Sequence, residues 1–152
     1  MNIFEEAKDL LEKRGLRKIL EKYGSVQPTG SFVLDLMTWR DLDLYLVSES
    51  INSDEFLKLG FEINKLLNPV KMSFRNELIA KTEGLPNGLY WGVYLGNERD
   101  GAWKIDIWNI SKEEAAKRHR FCEELEKKLD QKCFLMLNTI VQDMQRMSCQ
   151  VK

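Results

Sequence analysis

The chain has 152 residues, 43% hydrophobic and 31% charged, with a formal net charge of -1. These totals suit one ordinary soluble domain with a single core, exclude a membrane span of ~20 apolar residues, and give no overall basic field of the kind that attracts nucleic acid. The start, Met1-Asn2-Ile3-Phe4-Glu5-Glu6, carries acids where a secretory signal carries bases, and the odd set Cys122, Cys133 and Cys149 lacks any Cys-x-x-Cys pair. Free thiols, a cytoplasmic location and no zinc site are therefore expected.

In chain order, residues 3–23 read as helix, with Phe4, Ala7, Leu10, Leu11, Ile19, Leu20 and Tyr23 near helical spacing and Gly15 dividing it into two short pieces. The basic run Lys13, Arg14, Arg17, Lys18 and Lys22 reads as a solvated helix face. Ser25–Thr29 reads as a short strand, assigned by Pro28 to an edge or a bulge, and it leads into Gly30-Ser31. A glycine ending a strand lets the backbone turn sharply and approach a phosphate closely, while the serine adds a hydroxyl and an N–H. Phe32 to Met37 is expected to make a helical turn packed beneath the sheet, with Asp35 on its surface. Arg40 serves either a substrate phosphate or a neighbouring acid and is not counted as a site residue.

Asp41-Leu42-Asp43-Leu44-Tyr45-Leu46-Val47 has the period of two that marks a strand. Leu42, Leu44 and Leu46 point to the core, and Asp41, Asp43 and Tyr45 to the other face. The two carboxylates stand ~7 Å apart along the strand, and ionised groups so near a core need compensation, which a divalent cation supplies. An acid–apolar–acid triplet alone is common on exposed sheet faces; the preceding Gly30-Ser31 is what distinguishes this one.

Gly30-Ser31, a nine-residue spacer and Asp41-Leu42-Asp43-Leu44 together resemble the signature of the DNA polymerase β-like nucleotidyltransferase superfamily. Its pattern is apolar-Gly-[Gly/Ser], then, after about nine to thirteen residues, Asp-apolar-[Asp/Glu]-apolar. The chain departs from it at Thr29, where a large apolar residue is usual, and in lacking the Arg-Gly that often follows Gly-Ser in minimal members.

Beyond the motif, Ser53 or Asp54 is expected to cap a helix running to about Leu67, ended by Asn68-Pro69. Val70–Arg75 alternates as a strand, and Lys81–Gly88 reads as a loop, suited equally to acceptor contacts or to plain connection. Leu89–Leu95 is strongly β-forming, Asn97–Gly101 a hairpin turn, and Ala102–Ile110 the returning strand. Ser111-Lys112-Glu113-Glu114 is a capping box opening a helix to about Leu129, with Ala115, Ala116, Phe121, Leu125 and Leu129 inward. His119 reads as a surface residue. A last helix, about 131–147, has the Met content of irregular core packing.

Asp106 repeats the local pattern of the motif acids, with Ile105 and Ile107 on either side. The resemblance implies a third carboxylate on a later strand next to the one bearing the pair, and Asp106 is the residue placed for it. The resulting expectation is a single α+β domain. It has a core of about 24–110, a mixed, mostly antiparallel sheet of about five strands with helices on one face, and C-terminal helices over about 112–147.

What the resemblance implies for function is a Mg²⁺-dependent nucleotidyltransferase. Asp41, Asp43 and Asp106 would hold two Mg²⁺ ions and carry catalysis, with Asp106 as a candidate general base. Gly30 and Ser31 would bind the phosphates of a nucleoside triphosphate, ATP in the first instance. The chain is similar in general look to the antibiotic adenylyltransferases of the aminoglycoside and lincosamide type. Its near-neutral charge favours a small-molecule or protein acceptor over nucleic acid, and dimers are frequent among such relatives. The other reading is a nucleotidyltransferase-like antitoxin that pairs with, or modifies, a helical toxin.

Overall fold

The computed structural model describes residues 2–128 and positions 136, 139 and 140, with the backbone alone at 121, 122 and 125–128. Helix α1 (Ile3–Lys8) continues through a π-type turn (Asp9–Lys13), and α2 (Leu16–Leu20) follows Gly15. Strand β1 (Ser25–Thr29) ends in a 3-10 turn (Gly30–Phe32), and β2 (Asp41–Val47) follows. Next come α3 (Ser53–Leu67), β3 (Lys71–Asn76), the single turn α4 (Glu77–Ala80), β4 (Gly88–Tyr94), β5 (Lys104–Ile110) and α5 (Lys112–Lys128).

The architecture is α+β, with a five-stranded sheet in the order β1-β2-β5-β4-β3. The β2–β5 pair is parallel and the other three are antiparallel, so the sheet is mixed and mostly antiparallel. Strand β1 lies at an edge, where Pro28 costs no ladder bond inside the sheet.

Period-two alternation divides the sheet into a dry face and a polar one. Leu42, Leu44, Leu46, Leu89, Val93, Ile105 and Ile107 are fully buried on the first, against Ala7, Leu10, Leu11, Leu16 and Leu20 from the N-terminal helices and Phe56, Leu59 and Ile63 from α3. Each such leucine contributes about 1.5–3 kcal/mol on leaving water. Met37 joins this core from the spacer before β2, and Phe32 stacks on Phe4 with ring centroids 4.9 Å apart.

The opposite face carries a smaller cluster of Val47, Tyr90, Trp108 and Ile110, covered by Ala115 of α5. Helix α5 therefore lies across part of the face that bears the carboxylates.

Several local expectations change. The N-cap of α3 is Asn52, whose side chain accepts from the N–H groups of Asp54 and Glu55, rather than Ser53 or Asp54. An Asx cap one residue earlier leaves both acids in the first turn, where they favour the helix dipole. The helical turn at 32–37 is a 3-10 turn at Gly30–Phe32 followed by irregular turns, with Asp35 at φ +53. Ser111 accepts from Glu114 N–H at 3.1 Å, while the Glu114 carboxylate turns to Arg118; Ala115 is buried and Ala116 exposed. The helix expected over 131–147, and Cys133 and Cys149, lie outside the described residues, apart from Met136, Thr139 and Ile140.

Candidate active site

Parallel pairing of β2 with β5 sets Asp43 directly opposite Asp106 and Asp41 opposite Lys104. All four alternate away from the leucine core. Antiparallel pairing of β1 with β2 places Thr29 opposite Asp43, so the turn at Gly30 begins beside that carboxylate. Asp41, Asp43 and Asp106 each present an oxygen, and these atoms lie within 4.8 Å of one another.

Gly30 is at φ +65, and a Cβ there would stand 2.6 Å from Asp43 Oδ2. Only glycine accommodates both the left-handed backbone and this approach. Gly30 lines the main cavity; Ser31 is half-buried and lines neither cavity beside the carboxylates. Its carbonyl accepts from Leu36 N–H at 2.9 Å.

The carboxylates are not alone. Lys104 Nζ lies 2.8 Å from Asp106 Oδ2 and 3.7 Å from Asp41 Oδ1. Tyr90 donates its hydroxyl to Asp106 Oδ1 at 2.8 Å. Asp106 is thus held through both oxygens, whereas Asp41 Oδ1 is buried and accepts no hydrogen bond.

Electrostatics follow from this crowding. Burial, then the charges of Asp41 and Asp106, push the Asp43 carboxyl up to about 6, against the pull of Lys104. Asp41 is also raised, by burial first and by Asp106 in addition, with Lys104 opposing. For Lys104, burial opposes the charged form, but its hydrogen bond to Asp106 and the charges of Asp106 and Asp41 outweigh that and raise it. Burial and Asp106 raise the Tyr90 phenol.

A cavity of about 520 Å³ opens beside Asp43 and Asp106, lined by Tyr45, Tyr90 and Trp108 and by Arg75 and Arg118. That volume lies in the range of small-molecule sites. Both guanidiniums are anchored: Arg75 pairs with buried Glu77 at 2.7 Å, and Arg118 pairs with Glu114 at 2.8 Å and donates to the Gly84 carbonyl at 3.1 Å. A second cavity of about 400 Å³ lies beyond Asp41 and Lys104, with Trp39, 68% exposed, on its lip.

The donor set suits a hard divalent cation. It consists of carboxylate oxygens from two rigid, paired strands; one of those oxygens has no hydrogen-bond partner, and two of the carboxyls are pushed above their ordinary range, by burial first and by neighbouring carboxylates in addition.

Arg40 takes the second of its two alternatives. It forms a two-pronged ion pair with Glu6, Nε to Oε2 at 2.6 Å and Nη2 to Oε1 at 2.8 Å. His119 is exposed, edge-on to Tyr45, with Nε2 2.8 Å from Gln27 Oε1. The loop after α4 supplies Leu85 and Pro86 to the main cavity. Sequence reading passed over Lys104, Tyr90 and Arg118. The signal for Lys104 was present, since it stands two positions before Asp106 on one strand face; Tyr90 and Arg118 require the β4–β5 register and the packing of α5.

Neither a known family model nor a curated protein sequence matches this chain. Among the described residues, no helix is long and apolar enough to cross a membrane.

Proposed function

We propose that the protein is a metal-dependent nucleotidyltransferase that moves a nucleoside monophosphate from a nucleoside triphosphate, with ATP as first choice, to a hydroxyl of a small-molecule acceptor. The observation that carries this reading is the meeting of Asp41, Asp43 and Asp106 within 4.8 Å, on paired strands and beside the Gly30 turn.

Asp41, Asp43 and Asp106 would hold divalent ions, Mg²⁺ being the natural choice for an all-oxygen set that leaves positions for substrate phosphates. Bound there, the ions would supply Lewis-acid stabilisation of the attacking and leaving oxygens. The acceptor oxygen bonds to the α-phosphorus, the bond from that phosphorus to the β-phosphate bridge breaks, and pyrophosphate leaves with the electron pair. Asp106, whose Oδ1 accepts from the Tyr90 hydroxyl, would take the acceptor proton. Gly30 brings the backbone close to the phosphates, and the aromatic wall of Tyr45, Tyr90 and Trp108 excludes water from one side of the reaction.

A net charge of -1 and a cavity of about 520 Å³ support a small acceptor. Mn²⁺ titration of wild type, D41N, D43N and D106N, with and without a non-hydrolysable ATP analogue, tests the reading. Wild type should bind Mn²⁺ weakly alone and at least about tenfold more tightly with nucleotide, and each variant should lose that gain. Equal binding in all four proteins would contradict it.

A further inference from the structure

Lys104 is not needed to explain the carboxylates, yet among the described residues it is the cation that sits in their midst. It bridges Asp106 on its own strand and Asp41 on the neighbouring strand, at 2.8 and 3.7 Å. Its side chain is only 21% exposed, so water screens its charge poorly. An ammonium hydrogen-bonded to Asp106 Oδ2 stands at the oxygen a divalent ion would ligate, and two cations do not share that place.

We propose that Lys104 is a tethered counter-ion which a divalent ion must displace from Asp106 and Asp41, and that the displaced ammonium then meets the substrate's phosphates. The inference rests on the nucleotidyltransferase reading of the same carboxylates. Lys104 lines the second cavity with Trp39, Asp41 and Glu98, while the Asp106 carboxylate that its ammonium holds lines the main cavity with Gly30, so the ammonium stands between the two spaces. A bare divalent ion gains carboxylate oxygens but strands the ammonium without an acceptor. An ion that arrives with a phosphate chain supplies one, through charge-assisted hydrogen bonds. Lys104 thereby couples the two ligands: each binds weakly alone, and each strengthens the other by the same factor.

The test is Mn²⁺ binding to wild type, K104M and K104Q, followed by electron paramagnetic resonance, with and without inorganic pyrophosphate and with free concentrations corrected for complexation in solution. Both variants should bind Mn²⁺ alone about tenfold or more tightly than wild type, because a positive charge has left the centre. Pyrophosphate should tighten Mn²⁺ binding by a larger factor in wild type than in either variant. In wild type, with no substitution, the ε-carbon NMR resonance of Lys104 should move on Mg²⁺ titration. Mn²⁺ binding that D43N abolishes but K104M and K104Q leave unchanged or weakened would overturn the role of Lys104 while leaving the metal site standing. A Lys104 resonance unmoved at saturating Mg²⁺ would overturn it too. No Mn²⁺ binding in any of the proteins, with or without pyrophosphate, would remove both this inference and the reading beneath it.

Discussion

Asp43 and Asp106 face each other in register across the one parallel strand pair of the sheet. Their approach is set by ladder hydrogen bonds, not by a loop, so the two carboxylates meet whether or not anything is bound between them. Burial first, and then the charges of Asp41 and Asp106, raise the Asp43 carboxyl to about 6.

That shift fixes the sign of a stability effect. The folded-state value of Asp43 lies above its ordinary 3.8, so the ionised group costs stability at neutral pH and the cost is relieved as pH falls through about 6 toward 4. Metal-free D43N should be more stable than wild type at pH 7.5 by on the order of 2 kcal/mol, and its melting temperature higher by several degrees. The gap should close near pH 4. Melting curves of both proteins between pH 4 and 8 check this; a D43N that melts lower at pH 7.5 would mean that the carboxylate is satisfied in the fold.

Gly30→Ala and Gly84→Ala separate backbone strain from site geometry. Both positions have positive φ, +65 and +84, but a Cβ at Gly84 meets nothing within 4 Å, whereas one at Gly30 presses on Asp43. Each substitution should cost about 1–2 kcal/mol of stability. Only G30A should also lose nucleotide-dependent Mn²⁺ binding, by tenfold or more. Equal binding losses in the two variants would show that Gly30 acts through fold stability alone.

Tyr90→Phe removes the hydroxyl that donates to Asp106 and keeps the ring against Trp108, with centroids 4.8 Å apart. Stability should change by less than about 1 kcal/mol, while activity should fall about tenfold, as for other groups that orient a metal-binding carboxylate. Steady-state kinetics alongside melting separates these effects; unchanged kinetics would make Tyr90 a packing residue only.

Arg40→Met should do the reverse. The Glu6–Arg40 pair ties α1 to the start of β2, and the hydrogen bond from Arg40 holds Glu6 below its ordinary range. Its loss should cost about 1–2 kcal/mol at pH 7. The cost should shrink as pH falls below the ordinary carboxylate value of 4.5, as Glu6 takes up its proton in wild type as well. Nucleotide-dependent Mn²⁺ binding should persist. An R40M protein of wild-type stability that no longer binds nucleotide would move Arg40 into the site.

Much of this arrangement was legible before the structure. The alternation of Leu42, Leu44 and Leu46 with Asp41, Asp43 and Tyr45 reports a strand with one dry face, and the flanking isoleucines of Asp106 report another. What strand periodicity does not contain is which strand lies beside which. The β2–β5 pairing joins segments about sixty residues apart, and without it neither the match of Asp43 to Asp106 nor that of Asp41 to Lys104 can be read. The Gly30 turn was readable because only glycine serves there, while Ser31, expected at the phosphates from the same motif, is half-buried and does not line the main cavity. Local chemistry misled at Asn52, where three consecutive residues could each cap α3 and the choice depends on the angle of chain entry.

Transfer from nucleoside triphosphates labelled separately at the α- and γ-phosphorus, into a panel of hydroxylated small molecules, with D43N in parallel, tests the central claim most directly. The α-label should pass to an acceptor with divalent ion present, the γ-label should leave as pyrophosphate, and D43N should do neither. Transfer of the γ-label to an acceptor, or transfer of the α-label that D43N performs as well as wild type, would contradict nucleotidyl transfer at Asp41, Asp43 and Asp106.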